Sequence, residues 1–120
     1  MIGKVIDLEA VINIQFHLPN SRVAEEKFVI DTGFTGSLTL PLRGIAELGL
    51  PFRHNTSAYL ADHSEIIVPV FDAMIIWQGN ELEVKVMGTG ERPLLGTALL
   101  AGFSLFAEFQ DKGEVEVRAI

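Results

Sequence analysis

The sequence predicts an all-β fold in a single lobe with one or two short helices, on three observations. Apolar and polar residues alternate with period two in short runs, clearest in Ala10-Val11-Ile12-Asn13-Ile14-Gln15-Phe16 and in Glu81-Leu82-Glu83-Val84-Lys85-Val86-Met87. Turn-forming residues separate those runs. A chain of 120 residues makes one domain, 1–120, long enough to bury roughly two-thirds of its unfolded surface.

Taken in order, Val5 to Phe16 reads as strand, and Leu18-Pro19-Asn20-Ser21 turns the chain. Val23 to Ile30 returns as a second strand, and Leu38-Thr39-Leu40 alternates as a third. Between Pro41 and Gly49, Leu42, Ile45 and Leu48 recur at helical spacing, with proline at the start and glycine after the end, so one short helix belongs there. Ser57 to Leu60 and Glu65 to Val70 form strands around an Ala61-Asp62-His63-Ser64 tip; Phe71 to Trp77 continues before Gln78-Gly79-Asn80 turns into Glu81 to Met87. Gly88 to Pro93 is loop, and Thr97 to Ala101 forms a turn or two of helix. Phe103 to Phe109 and Glu114 to Ile120 close the chain as a hairpin around Gln110 to Gly113.

Composition narrows the function. Sixteen acids against nine bases give a net charge of −7 with no basic cluster, which repels phosphate backbones and argues against nucleic-acid binding. There are no cysteines, which removes disulfides, thiolate metal sites and thiol nucleophiles and fits a reducing compartment. No apolar run approaches the roughly 20 residues of a membrane span, and Met1 to Asp7 has no signal-peptide core, so the expected location is cytoplasmic, with no membrane partner. His17, His54 and His63 lack metal-site spacing, so no metal is expected. No cofactor is expected either. Gly88-Thr89-Gly90 opens like a dinucleotide loop but lacks the third glycine, and Gly102-Phe103-Ser104-Leu105-Phe106 lacks the second glycine of a nucleophile elbow.

The chemistry concentrates in Phe28 to Leu40, where an apolar strand runs into Asp31-Thr32-Gly33 and then Phe34-Thr35-Gly36. Asp31 is thereby presented at a tight turn between two strands, where backbone N–H groups and hydroxyls can orient its carboxylate. The bland alternative is an Asx-type turn in which the acid bonds only its own backbone. Peptide hydrolysis by acids alone needs two carboxylates, one to donate a proton to the scissile carbonyl and one to take a proton from water. The other aspartates, Asp7, Asp62, Asp72 and Asp111, lack a following Thr/Ser-Gly, so the chain encodes one half-site.

Phe28-Val29-Ile30 before Asp31-Thr32-Gly33, together with Leu94-Leu95-Gly96 before Thr97-Ala98-Leu99-Leu100, gives the sequence its resemblance to the retroviral-type, retropepsin-like (clan AA) aspartic proteases. Among them it is most similar to the small bacterial and archaeal single-domain members. The resemblance implies a closed acid-protease-type β-barrel and an aspartic endopeptidase acting as a homodimer on peptide or protein substrates. A two-fold axis beside Asp31 then supplies the second carboxylate. It further implies that Asp31, Thr32 and Gly33 form the catalytic loop and that Phe34, Thr35 and Gly36 line the substrate cleft. The tip Ala61, Asp62 and His63 stands where the family has its flap; Leu94, Leu95 and Gly96 support the catalytic loop; and the terminal strands near Val5 and Val115 to Ile120 interleave across the dimer. Asp62 and His63 themselves read as a solvated turn rather than catalytic groups.

Two departures stand out. Phe34 occupies a position that is usually small in retroviral enzymes, and the flap hairpin has no glycine between Tyr59 and Val70. The first bears on substrate range and the second on flap mobility; separately, a second functional class is carried alongside the enzyme: a catalytically silent module of the same fold that binds peptides or dimerises.

Overall fold

A computed structural model describes all residues 1–120. In chain order its elements are β1 (Ile2–Ile6), β2 (Glu9–His17), a single 3-10 turn (Pro19–Ser21), β3 (Val23–Ile30), β4 (Leu38–Leu40), α1 (Leu42–Leu48) and β5 (Phe52–Tyr59). There follow β6 (Glu65–Trp77), β7 (Asn80–Gly88), β8 (Leu94–Leu95), α2 (Thr97–Leu100), β9 (Phe103–Ala107) and β10 (Glu114–Ala119).

The ten strands form one sheet in the order β5-β6-β7-β4-β8-β3-β2-β1-β10-β9, and a further β6–β2 pairing closes it. The closed ring runs β6, β7, β4, β8, β3, β2 and back to β6. Closure depends on β2, whose one edge is shared: Glu9 to Val11 pair with β1, while Gln15 to His17 pair with Ile76 to Met74 of β6. The opposite edge of β2 pairs with β3 from Val11↔Val29 to His17↔Val23. The expected all-β, single-lobe architecture with two short helices is thus present.

Alternation puts the core inside the ring. Ala10, Ile12, Ile14 and Phe16 of β2 all point inward, and Phe16 stacks on Phe28 of β3 with ring centroids 6.0 Å apart. Each side chain of that size contributes roughly 1.5–3 kcal/mol on full burial. A cluster of 22 buried residues extends from these to Leu38, Leu40, Val86 and Leu95, so the strands that carry the Asp31 loop are anchored in the hydrophobic core. Helix α1 packs Ile45 and Leu48 against that core and ends on Gly49, whose left-handed φ of 70° lets its N–H reach the Ile45 and Ala46 carbonyls.

Three local expectations are corrected. Val5 to Phe16 is not one strand but a hairpin, broken at Asp7 and Leu8, which have φ of 51° and 62°. Two consecutive left-handed residues make a tight hairpin turn that normally carries Asn-Gly or Asp-Gly, and Leu8 in the glycine position hid it. The strand expected from Ser57 begins at Phe52; its first half is exposed on both faces, so it shows no alternation to read. The terminal strands pair with each other within the chain, Ile2↔Glu116 to Lys4↔Glu114, and β1 is filled on its other edge by β2. Interleaving of β1 and β10 across a dimer axis is therefore not available without breaking intrachain ladders. The unpaired edge at this end of the sheet belongs to β9.

Candidate active site

Asp31 directly follows β3, and its position is set by β8. Leu94 and Leu95 insert between β3 and β4, parallel to Val29 and Ile30 on one side and antiparallel to Leu38 and Thr39 on the other. The ladder continues past the strand end: the Val29 N–H donates to the Pro93 carbonyl at 3.1 Å, and the Asp31 N–H donates to the Leu95 carbonyl at 2.9 Å. Thr39, buried in the core, accepts the Leu94 N–H on its hydroxyl at 3.2 Å. The two segments that stood out in the sequence thus form one hydrogen-bonded unit.

The loop after Asp31 is fixed from the same direction. The Gly96 N–H donates to the Ser37 carbonyl at 2.9 Å, the Thr97 N–H to the Phe34 carbonyl at 2.9 Å, and the Ala98 N–H to the Gly36 carbonyl at 3.2 Å. The Thr97 hydroxyl adds a second bond to the Phe34 carbonyl at 3.3 Å. Backbone comes so close here that a Cβ on Gly96 would lie 2.2 Å from the Gly36 carbonyl oxygen, which only glycine tolerates. Within the loop, the Gly33 N–H donates to Asp31 Oδ1 at 2.9 Å, and the Phe34 N–H donates to the Asp31 carbonyl at 3.1 Å. One carboxylate oxygen is therefore oriented by backbone, while Asp31 is only half-buried and Thr32 and Gly33 are exposed.

Two hollows meet at this loop and share Leu94. One, of about 610 Å³, runs between Gly33, Phe34, Thr35 and Gly36 on one side and the β5–β6 hairpin on the other. The hairpin contributes Tyr59, Leu60 and Ile66 from its stem rather than the tip residues Ala61, Asp62 and His63. The tip folds on itself: the Leu60 N–H donates to the Ser64 carbonyl at 2.9 Å, and Asp62 Oδ1 accepts from the Ser64 N–H at 2.9 Å and the Ser64 hydroxyl at 2.6 Å. The Ser64 hydroxyl first, and its N–H second, hold the Asp62 carboxyl below the usual carboxylate range. A charged, self-bonded turn thus forms the tip of the β5–β6 hairpin.

The second hollow, of about 440 Å³, contains Asp31 and Thr32 with Leu8, Glu9, Arg92, Leu105 and Phe109. Leu8 is 71% exposed and Phe109 64%, so the acid stands at the bottom of an uncovered apolar rim. Arg92 pairs with Glu9. The hydrogen bond and charge of Glu9 hold the guanidinium above its ordinary value, and Asp31 adds a smaller attraction. Sequence reading missed Arg92, Glu9 and this rim. Their proximity depends on the unseen Asp7-Leu8 turn, and no local spacing connects positions 9, 92 and 109.

A separate hollow of about 330 Å³ among His17, Pro19, Leu50, Asp72, Met74 and Glu83 shares no residue with either. No group of three metal-ligating side chains converges anywhere in the chain, and no helix is long and apolar enough to cross a membrane.

No protein-family model and no curated protein matches the sequence. Among solved structures, the crystal structure of a retropepsin-like aspartic protease from Rickettsia conorii is similar, with a TM-score of 0.61 and 20% sequence identity over 100% of this chain and 90% of that one. Similarity at that identity is one of fold. The closed ring of strands, the inserted β8 and the acid at the end of β3 all lie in the matched span, and the chain has the retropepsin-like aspartic protease fold in a single lobe.

Proposed function

We propose that the chain is an aspartic endopeptidase of the small bacterial and archaeal single-domain type, active as a homodimer in which two copies of Asp31 flank one water. The observation that carries this reading is the setting of Asp31: oriented by the Gly33 N–H, anchored to the Leu95 carbonyl, half-buried, and open to an uncovered apolar rim, with the loop that follows it, Gly33 to Gly36, lining the adjoining cleft. An acid serving only its own turn has no need of that support from the far end of the chain. The Rickettsia protein of the same fold is itself an aspartic protease, which favours the enzyme over a silent relative.

The chemistry follows from the pair. Two carboxylates about 3 Å apart cannot both ionise, so the pair holds one proton. The ionised member takes a proton from the water as its oxygen bonds to the scissile carbonyl carbon, and the protonated member gives its proton to the carbonyl oxygen. Collapse of the tetrahedral diol breaks the C–N bond: the amine leaves with the proton of one carboxyl, a diol hydroxyl returns its proton to the other carboxylate as the product carboxylic acid forms, and the singly protonated pair is restored.

The second copy has a surface to cover. Leu8, Leu105 and Phe109 surround the acid, and β9 presents an uncharged edge, Phe103-Ser-Leu-Phe-Ala107, that is otherwise open to uncontrolled pairing. Pairing there on a two-fold axis joins the Asp31 loops and covers the edge in one step. The test is Asp31→Asn, which keeps the shape of the side chain and removes its titration: peptide hydrolysis falls to background while the circular dichroism spectrum and the dimer persist. Hydrolysis that survives the substitution moves the chemistry elsewhere.

A further inference from the structure

We infer that the Glu9–Arg92 ion pair is a charge regulator of the catalytic acid: Arg92 favours the ionised Asp31 carboxylate, Glu9 offsets that attraction, and the balance of the two sets the pH window of hydrolysis. This rests on the proposed hydrolysis at paired Asp31 carboxylates.

The sheet order places the ion pair at the acid. Strand β3 lies between β8 and β2, so a contact from Arg92, two residues before β8, to Glu9, the first residue of β2, has to bridge the end of β3. Asp31 emerges from that end. Both partners are held in register by backbone. The Val29 N–H bonds the Pro93 carbonyl next to Arg92, and Glu9 pairs with Ile6 in the β1–β2 hairpin. The last rung between β2 and β3 is Val11↔Val29, and two residues on along each chain stand Glu9 and Asp31, which alternation turns to the same face. Glu9, Val11, Val29 and Asp31 are all half-buried, whereas Ala10 and Ile30 between them belong to the core.

The three charges share one hollow, and its other walls are uncharged. The β1–β2 turn contributes Leu8, β8 contributes Leu94, and the C-terminal hairpin contributes Leu105 and Phe109. Asp7, Glu91 and Glu108, beside these in sequence, do not line it, and the loop from Thr32 to Ser37 carries no charge. Apolar walls weaken solvent screening, so the two charges nearest Asp31 dominate its field. Glu9 first, and Asp31 after it, hold the Arg92 guanidinium above its ordinary value, and an attraction between two charges acts on both. The side chains of Arg92 and Glu9 are 53% and 38% exposed, so the pair adds little to stability. Neutralising either one changes the charge beside Asp31 while the fold remains.

The experiment uses full-length wild type, Glu9→Gln, Arg92→Gln, Arg92→Lys and the double variant Glu9→Gln/Arg92→Gln, with kcat/KM for one peptide measured at low salt from about pH 3 to 8. The alkaline limb is the cleaner readout, because carboxylates outside the catalytic pair are ionised there. Arg92→Gln should move that limb up by about half a pH unit or more, and Glu9→Gln should move it down. The double variant should return close to wild type, and Arg92→Lys, which keeps the charge, should stay there. Added salt should shrink the shifts of the single variants. A bridge with a structural role alone lowers activity or melting temperature without moving the limb in opposite directions. Shifts of one sign in both single variants, or none, overturn the inference, and so does an Arg92→Lys profile displaced as far as that of Arg92→Gln. Glu9→Gln leaves Arg92 in place and decides by itself if Arg92→Gln does not fold: an unmoved limb overturns the inference. Cleavage that persists in Asp31→Asn overturns the catalytic reading itself, and a wild type that cleaves no peptide overturns both.

Discussion

The Asp31 N–H donates to the Leu95 carbonyl at 2.9 Å, and Leu95 is completely buried, so the backbone of the acid is anchored on the core while its own loop orients the carboxylate. Leu95→Ala removes side-chain volume directly beneath that anchor. It should lower the unfolding free energy by about 2–5 kcal/mol in urea titration with an unchanged slope, the range for buried leucine truncation. Peptide hydrolysis should fall with it under conditions where the variant is still folded, because the carboxylate loses its fixed base. A loss below about 1 kcal/mol would mean that the surroundings collapse into the gap and that the anchor is the backbone alone.

Gly36 and Gly96 both contact the Phe34 ring, yet they should respond differently to a second mutation. A Cβ on Gly36 meets only ring atoms, whereas a Cβ on Gly96 also meets the Gly36 and Phe34 carbonyl oxygens at 2.2 and 2.6 Å. Phe34→Ala should therefore rescue the thermal stability lost in Gly36→Ala and fail to rescue Gly96→Ala. Double-mutant cycles on the melting temperature read this directly. Equal rescue of both would show that the backbone at residue 96 can move away.

The sequence was most legible where local and long-range forces agree. Val23–Ile30 and the short helix over Leu42–Leu48 have propensity, pattern and caps that point the same way, and they lie where expected. The Asp31 and Leu94-Leu95-Gly96 segments could be associated through family resemblance, although nothing local reveals that β8 slots between β3 and β4. Legibility failed where the chain departs from turn chemistry, as at Leu8 with φ of 62°, and wherever a site is assembled from distant pieces, as with Glu9, Arg92 and Phe109 around Asp31. The proposed second copy would cover the exposed hydrophobes of that rim, Leu8, Leu105 and Phe109.

Phe109 and Leu8 test that reason. Sedimentation of the wild type at micromolar concentration should give about twice 13.2 kDa. Phe109→Asp places a charge in a rim that the partner would desolvate, so it should yield a folded monomer without hydrolytic activity. A Phe109→Asp protein that stays dimeric and active would locate the interface elsewhere.

Asp72 faces Lys85 across the β6–β7 pair, and its carboxyl is held below the usual range by the Lys85 hydrogen bond first, with smaller attractions from Lys85, Arg53 and His54. A lowered folded-state value means stability that is fully present above the ordinary carboxylate value of 3.8 and lost as pH falls through the folded value. The stability difference between wild type and Asp72→Asn should thus be constant from neutrality down to about pH 5 and shrink below about pH 4. Added salt should reduce it at every pH, since the pair is on the surface. A difference that grows on acidification would reverse the assignment.

The proposed pairing of two Asp31 carboxylates predicts a particular pH dependence of hydrolysis. Bringing the two within about 3 Å makes double ionisation unfavourable, and full protonation leaves no base. Only the singly protonated pair contains both the group that takes the water proton and the group that donates to the carbonyl. The rate should therefore be bell-shaped with its maximum on the acid side of neutrality, at roughly pH 4 to 6. The acid limb reports protonation of the base and the alkaline limb loss of the shared proton, and both are properties of the pair rather than of either copy. The Asp72–Lys85 and Asp62–Ser64 interactions both weaken in acid, so stability is measured in parallel to separate unfolding from titration of the pair. A rate that rises steadily through pH 8 requires a histidine base, and one abolished by a chelator requires a metal; with either result Asp31 is not the catalyst.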